Sequence, residues 1–105
     1  MILVGADILD GLIRREKRRQ PRLGGTLERR LAAWTREVQE ASWRKPTEVR
    51  AMFGTADVIG NSRIIFDICG NNYRLVVQFN YAAQIARVRF GGTHAEYDRI
   101  DPLTV

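Results

Sequence analysis

The chain has 105 residues, 45% of them hydrophobic, with one histidine and a single cysteine. That is enough for one domain over residues 1–105 with its own core, while the lone Cys69 excludes an internal disulfide and leaves no cysteine framework for zinc. No apolar run approaches the roughly 18 to 20 residues needed to cross a bilayer, so a membrane span, a signal peptide and a membrane partner are not expected, and the chain reads as cytoplasmic. With 17 Lys and Arg against 12 Asp and Glu, the formal charge is +5 and the isoelectric point about 10.1, which favours a polyanionic partner. Residues 1–50 hold the whole excess, 12 basic groups to 7 acidic, and nearly all of it is arginine, whose planar paired donors suit phosphate.

Residues 1–4 suggest a short strand. Asp7 is placed to cap a helix with Ile8, Leu9, Leu12 and Ile13 on one face, which Pro21 and the Gly24-Gly25 pair should end. Its last part, Arg14-Arg15-Glu16-Lys17-Arg18-Arg19, reads first as a solvated helix end favoured by the macrodipole, and second as an RNA contact. From Thr26 a second helix is expected, because Leu27, Leu31, Trp34, Val38 and Ala41 form one apolar stripe, extended by Trp43. Pro46 can begin a short third helix through Phe53, stopped by Gly54.

After Gly60-Asn61-Ser62 the apolar period becomes two. Residues 63–69, 73–81 and 85–90 read as three strands of an antiparallel meander joined by short turns. Alternation sorts Ile64, Phe66, Ile68, Tyr73, Leu75, Val77, Phe79, Tyr81, Ala86, Val88 and Phe90 onto a face for the helices. The other face carries Ile65, Asp67, Val76 and four arginines, Arg63, Arg74, Arg87 and Arg89. An outer sheet face should be polar in any case, but four cations against one carboxylate make it a basic floor able to hold a phosphodiester chain. Tyr73 and Tyr81 belong to the core first and could stack on bases second.

Beyond the third strand, Gly91-Gly92 allows a sharp turn, and Thr93 can cap a turn that puts His94 and Tyr97, three apart, on one side. RNA can be cut through its own 2′-OH, given a base for that hydroxyl, an acid for the leaving 5′ oxygen and cations for the phosphorane-like charge. His94 is the one side chain whose ordinary pKa is near neutral. Tyr97 could be its partner if neighbouring arginines lower its pKa, with Arg74 and Arg89 on the phosphate. No P-loop, serine elbow or metal-ligand spacing is present, so neither a metal nor another cofactor is called for, and Cys69 reads as buried and inert.

The segments Val58-Ile59-Gly60-Asn61-Ser62-Arg63, Phe66 through Val77, Val88-Arg89-Phe90 and Thr93-His94-Ala95-Glu96-Tyr97-Asp98 strongly resemble the HigB family of bacterial toxins, which are RelE-like mRNA interferases of type II toxin-antitoxin systems. The helical stretch Ala33-Trp34 through Trp43-Arg44-Lys45-Pro46 also looks like that family, so the resemblance covers roughly residues 27–105. It implies an α+β fold, RelE-like, with two to three helices packed on one face of an antiparallel β-sheet. It further implies metal-independent cleavage of mRNA on the ribosome, and neutralisation by a HigA-type helix-turn-helix antitoxin, with operator DNA reached only through that antitoxin. Carried over by position, the catalytic residues would be Arg74, Arg89, His94 and Tyr97. Lys45 and Asn71 also match and, with Arg63 and Arg87 of the basic face, would bind RNA. Where family members usually have Ile-Gly-Gly-Asn, this chain has Ile68-Cys69-Gly70-Asn71. The competing reading is a non-catalytic RNA- or ribosome-binding module that blocks translation without cutting.

Overall fold

After one short strand, two helices meet in a tight hairpin before the rest of the sheet is reached. The computed structural model describes residues 1–105: strand β1 (Ile2–Val4), then α1 (Ala6–Arg19) and α2 (Pro21–Glu40), separated only by Gln20. The helix expected from Asp7 starts at Ala6 instead, with Gly5 as its N-cap at φ 92. Gly5 lies against Val88, where a Cβ would sit 2.7 Å from the carbonyl oxygen, so the chain can enter the helix there only without a side chain. Asp7 falls in the first turn, where its charge suits the helix dipole.

The pair Gly24-Gly25 does not break the chain, contrary to its expected role. It lies inside α2, which begins five residues before Thr26 at Pro21, in the first-turn position where proline is tolerated. The reason is contact: a Cβ on Gly24 would lie 2.5 Å from the Lys17 nitrogen and 2.6 Å from its Cα. The backbones of α1 and α2 approach so closely that only glycine fits, and this packing outweighs a helix-propensity cost of about 1 kcal/mol. Along α2 the expected stripe Leu27, Leu31, Trp34 and Val38 is buried. Trp43 is buried too, edge-on to Phe53 and Phe79 at 6.0 Å. Helix α3 (Pro46–Met52) follows with proline in its first turn.

The sheet has five strands in the order β1-β5-β4-β3-β2, with β2 at Asp57–Val58, β3 at Arg63–Ile68, β4 at Tyr73–Asn80 and β5 at Ile85–Thr93. All pairings are antiparallel except β1 with β5, where Ile2 faces Ile85 and Val4 faces Arg87. Helices and sheet enclose one apolar core containing Ile64, Phe66, Ile68, Tyr73, Leu75, Val77, Phe79, Ala86 and Val88, as alternation requires. The two-residue strand β2 was not anticipated, because two exposed residues carry no period.

Phe90 departs from the expected face. The register slips between Val76 and Val77, so Val77 opposes Val88 while Val76 opposes Phe90, and Arg89 is the extra residue of a bulge. Phe90 is thereby delivered to the outer face with Val76, and Gly91 takes the inner position opposite Leu75. A Cβ on Gly91 would come within 3.2 Å of the Leu75 side chain and 3.6 Å of those of Ile8 and Leu12. Gly91 and Gly92 therefore serve close approach within β5 rather than a turn.

Between β3 and β4, Cys69 has φ 57 and Gly70 φ 65, both left-handed. A side chain at Cys69 strains that conformation, so Cys69→Gly should raise stability by roughly 0.5 to 1 kcal/mol in urea unfolding, the relief of strain exceeding the added flexibility of the unfolded chain. An unchanged or lowered midpoint would contradict the strain.

Candidate active site

Where β5 ends, Thr93 starts α4 (His94–Tyr97) through a reciprocal cap: its hydroxyl accepts from the Glu96 N–H at 3.2 Å and its own N–H donates to the Glu96 carboxylate at 2.9 Å. So short a helix is not stable alone. It is tied to α1, because the Arg15 guanidinium bonds the same Glu96 carboxylate. Burial alone would raise the Glu96 carboxyl, but the Thr93 N–H and Arg15 together hold it below its ordinary 4.5. A carboxyl depressed on folding stabilises above its unfolded pKa and loses that contribution as pH falls through the folded one. Amide exchange across residues 94–99 should therefore be slow at neutral pH, accelerate below about pH 4.5, and be fast at all pH values in Glu96→Ala. Identical exchange in the variant would remove Glu96 as the anchor.

Three apart on α4, His94 and Tyr97 face different partners. The Tyr97 ring packs against Phe90 at 6.4 Å, using the face to which the bulge delivered it, and the Arg74 guanidinium lies 4.8 Å from the Tyr97 ring centroid. Arg74 can reach it because its cross-strand partner is Gly92, which presents no side chain. Arg74 is steered from its other side by Asp67 at 3.2 Å, an ion pair not aligned as a hydrogen bond, and it donates to the Asn71 side-chain oxygen at 3.3 Å. The condition set for Tyr97, a pKa lowered by neighbouring arginines, is not met. Burial pushes the phenol up, Arg74 offsets this only in part, and Asp57 and Asp98 add to the rise. The Tyr97 phenol is held in its protonated form more firmly than a free tyrosine.

His94 has Asp98 one turn on, with its Nδ1 3.3 Å from the carboxylate. That contact is not aligned as a hydrogen bond, and Nε2 has no hydrogen-bond partner within the chain. His94 lines a cleft of about 210 Å³ together with Asn71, Asn72, Tyr73, Glu16 and Arg19. Its floor is a buried pair: the Tyr73 hydroxyl donates to the fully buried Glu16 carboxylate at 2.7 Å. Arg15 and Arg19 lie at 3.4 and 3.8 Å from that carboxylate. Burial first, then the bond to Glu16, lifts the Tyr73 phenol far above its ordinary range, so it acts as a fixed donor in the core.

The basic floor is not continuous. Arg63 is only 6% exposed, and its guanidinium donates to the Val105 carbonyl at 2.8 Å. Arg89 donates to the same oxygen at 3.2 Å but stays exposed. The segment after α4 thus covers part of the outer face, with Ile65 and Val76 buried on it as well. Arg87 is exposed and opposes Gln78. Lys45 is exposed near the far end of the sheet, since the Trp43 carbonyl two residues earlier accepts from Gln84. Arg74 joins Asn71 and the Tyr97 ring, and Asn71 also lines the cleft of His94, while no hydrogen bond or ion pair joins His94 to Arg74 or Tyr97. Cys69 is half-buried, and burial raises its thiol.

A family model described as the RelE-like toxic component of a toxin-antitoxin system, HigB_toxin, matches residues 27–100. The chain belongs to the HigB toxin family. It is thus the toxic component of a toxin-antitoxin pair, and an antitoxin is its implied partner. A search of curated proteins finds no match. No helix is long and apolar enough to cross a membrane. Asn71, Arg74 and α4 lie inside the matched region, whereas α1, which supplies Arg15, Glu16 and Arg19, precedes it. Their run reads in the sequence as a solvated helix end or an RNA contact, so the part these three play in holding α4 and the cleft floor is hidden there among like charges. One signal was available for Glu16: it follows Leu12 by four residues and so continues the apolar stripe of α1. Asp98 and Glu96, flanking Tyr97, offered only their helical spacing.

Proposed function

We propose that this HigB-family chain is an endoribonuclease that cuts mRNA, on the translating ribosome, by attack of the ribose 2′-OH on the adjacent phosphorus. The observation that carries the reading is the gathering of Arg74, Tyr97 and His94 at one end of the sheet, a cation, a protonated phenol and an imidazole with Nε2 free. His94 Nε2 takes the 2′-OH proton as the 2′ oxygen bonds phosphorus. Tyr97 gives its proton to the 5′ oxygen as the P–O5′ bond breaks, and Arg74 balances the charge on the non-bridging oxygens. Every group is supplied by the chain itself. Asn71 fixes Arg74 and contacts RNA beside the cleft. Arg89 meets the phosphate from the outer face, while Arg87 and Lys45 meet nucleotides farther from the scissile bond. The antitoxin is of the HigA helix-turn-helix type and is the route to operator DNA.

Purified protein added to a translating system should leave new 5′ ends in the message by primer extension. Halted translation with intact message would instead establish a ribosome-blocking module. Cleavage of the same message free of ribosomes would remove the ribosome from the reaction.

A further inference from the structure

We propose that the exposed arginine face of α1 is a binding strip for single-stranded RNA, carrying the phosphodiester backbone to or from the His94 cleft. This rests on the nuclease reading for the identity of the cleft, but it concerns residues that precede the family match. Gly11, Arg14, Arg15, Arg18 and Arg19 line a shallow depression of about 380 Å³ with no apolar residue in it. Arg14 and Arg18, four apart on one helix face, are exposed and have no carboxylate within 4.0 Å. They stand about 6 Å apart along the helix axis. Arg15 and Arg19 flank them and are held toward Glu96 and Glu16. Arg19 also lines the cleft that contains His94, so the two depressions share a wall.

A solvated helix end accounts for Lys17, Arg18 and Arg19, which face the negative pole of the helix dipole. It does not account for Arg14 nearer the middle, nor for Gly11. Glycine inside a helix is unfavourable, and at Gly11 the fold gives no steric reason for it: a Cβ would meet nothing nearer than the Arg14 guanidinium at 4.0 Å. What the missing side chain does is leave a bare floor between the arginines, where a ligand backbone can approach. The polyanion is nucleic acid rather than a lipid surface because the strip offers no apolar side chain to insert between headgroups. Continuity with the cleft makes it RNA.

The test uses the full chain and a fluorescein-labelled 2′-O-methyl RNA strand, which cannot undergo 2′-OH attack, with anisotropy read across a salt series. The double variant Arg14→Ala/Arg18→Ala should bind roughly tenfold more weakly, with the slope of log affinity against log salt reduced by roughly 0.7 for each arginine removed. Gly11→Gln should weaken binding without lowering the melting temperature, since glutamine is the better helix former. Arg50→Ala, an exposed arginine on α3, should change nothing. Wild-type affinity and slope in the double variant would overturn the strip, as would an equal loss in Arg50→Ala, which would reduce the effect to net charge. The nuclease reading is scored separately on unmodified message. Strip-dependent binding without cleavage would leave the strip standing alone, and cleavage without strip-dependent binding would leave the nuclease alone.

Discussion

Gly24→Val is expected to destabilise the fold by about 3 kcal/mol, while Gly25→Ala one residue later stabilises it by roughly 0.5 to 1 kcal/mol. The opposite signs follow from what each new side chain meets. At Gly24 the obstruction is the backbone of Lys17 and Glu16 at 2.5 to 2.7 Å, which cannot yield without separating α1 from α2. At Gly25 the nearest atom is the mobile end of Arg29 at 3.8 Å, and the substitution only removes the entropic cost of glycine inside a helix. Separation of the helices would also expose the Glu16 carboxylate and weaken its bond with Tyr73, so Gly24→Val should loosen the floor of the His94 cleft. Urea unfolding of both variants measures the contrast, and a destabilised Gly25→Ala or a neutral Gly24→Val would contradict the crossing geometry.

His94→Ala and Tyr97→Phe are each expected to lower message cleavage by about 100-fold or more, with little change in stability. Tyr97→Phe is the sharper variant: its ring can keep both the contact with Phe90 and the stacking under Arg74, so the loss is confined to one proton. Because Arg74 is bound on three sides, by Asp67, Asn71 and the Tyr97 ring, Arg74→Lys keeps the charge but loses the planar contacts, and it should fall between wild type and Arg74→Ala. Full cleavage by both His94→Ala and Tyr97→Phe would move the chemistry elsewhere. The effects of the two should not add, since base and acid serve one displacement.

Much of this architecture could be read from the order of residues, and the exceptions share a cause. The stripe from Leu27 to Val38 and the alternation from Ile64 to Val88 are local periods, and both faces they define are occupied as read. Gly24 was misread because a glycine pair looks like a breaker unless the backbone of α1 is known to lie against it. Phe90 was misplaced because a single extra residue, Arg89, inverts the face of everything after it, and nothing in the composition marks a bulge. Arg63 counted among the free cations since its partner, Val105, is 42 residues away. In the site, the turn begun by Thr93 was legible from its capping residue, but the parting of its two side chains was not: Tyr97 meets Phe90 and Arg74, while His94 lines the cleft with Tyr73 and Glu16. The rise of the Tyr97 pKa was not legible either, because burial depends on Phe90 and the covering segment, whereas the nearby arginines were visible in the sequence.

The parallel pairing of β1 with β5 bears on the order in which the fold is completed. Ile2 finds its partner only at Ile85, so the first strand of the chain must wait for the last before its hydrogen bonds exist. The helical hairpin and the β3-β4-β5 meander are built from near neighbours and can form early, whereas docking β1 closes a loop spanning most of the chain. During synthesis from the N-terminus, Met1–Val4 therefore remains unpaired until residues 85–87 are made. The end of β5 that leads into α4 is made later still, so the proposed site assembles only after both the hairpin and the first strands of the meander exist.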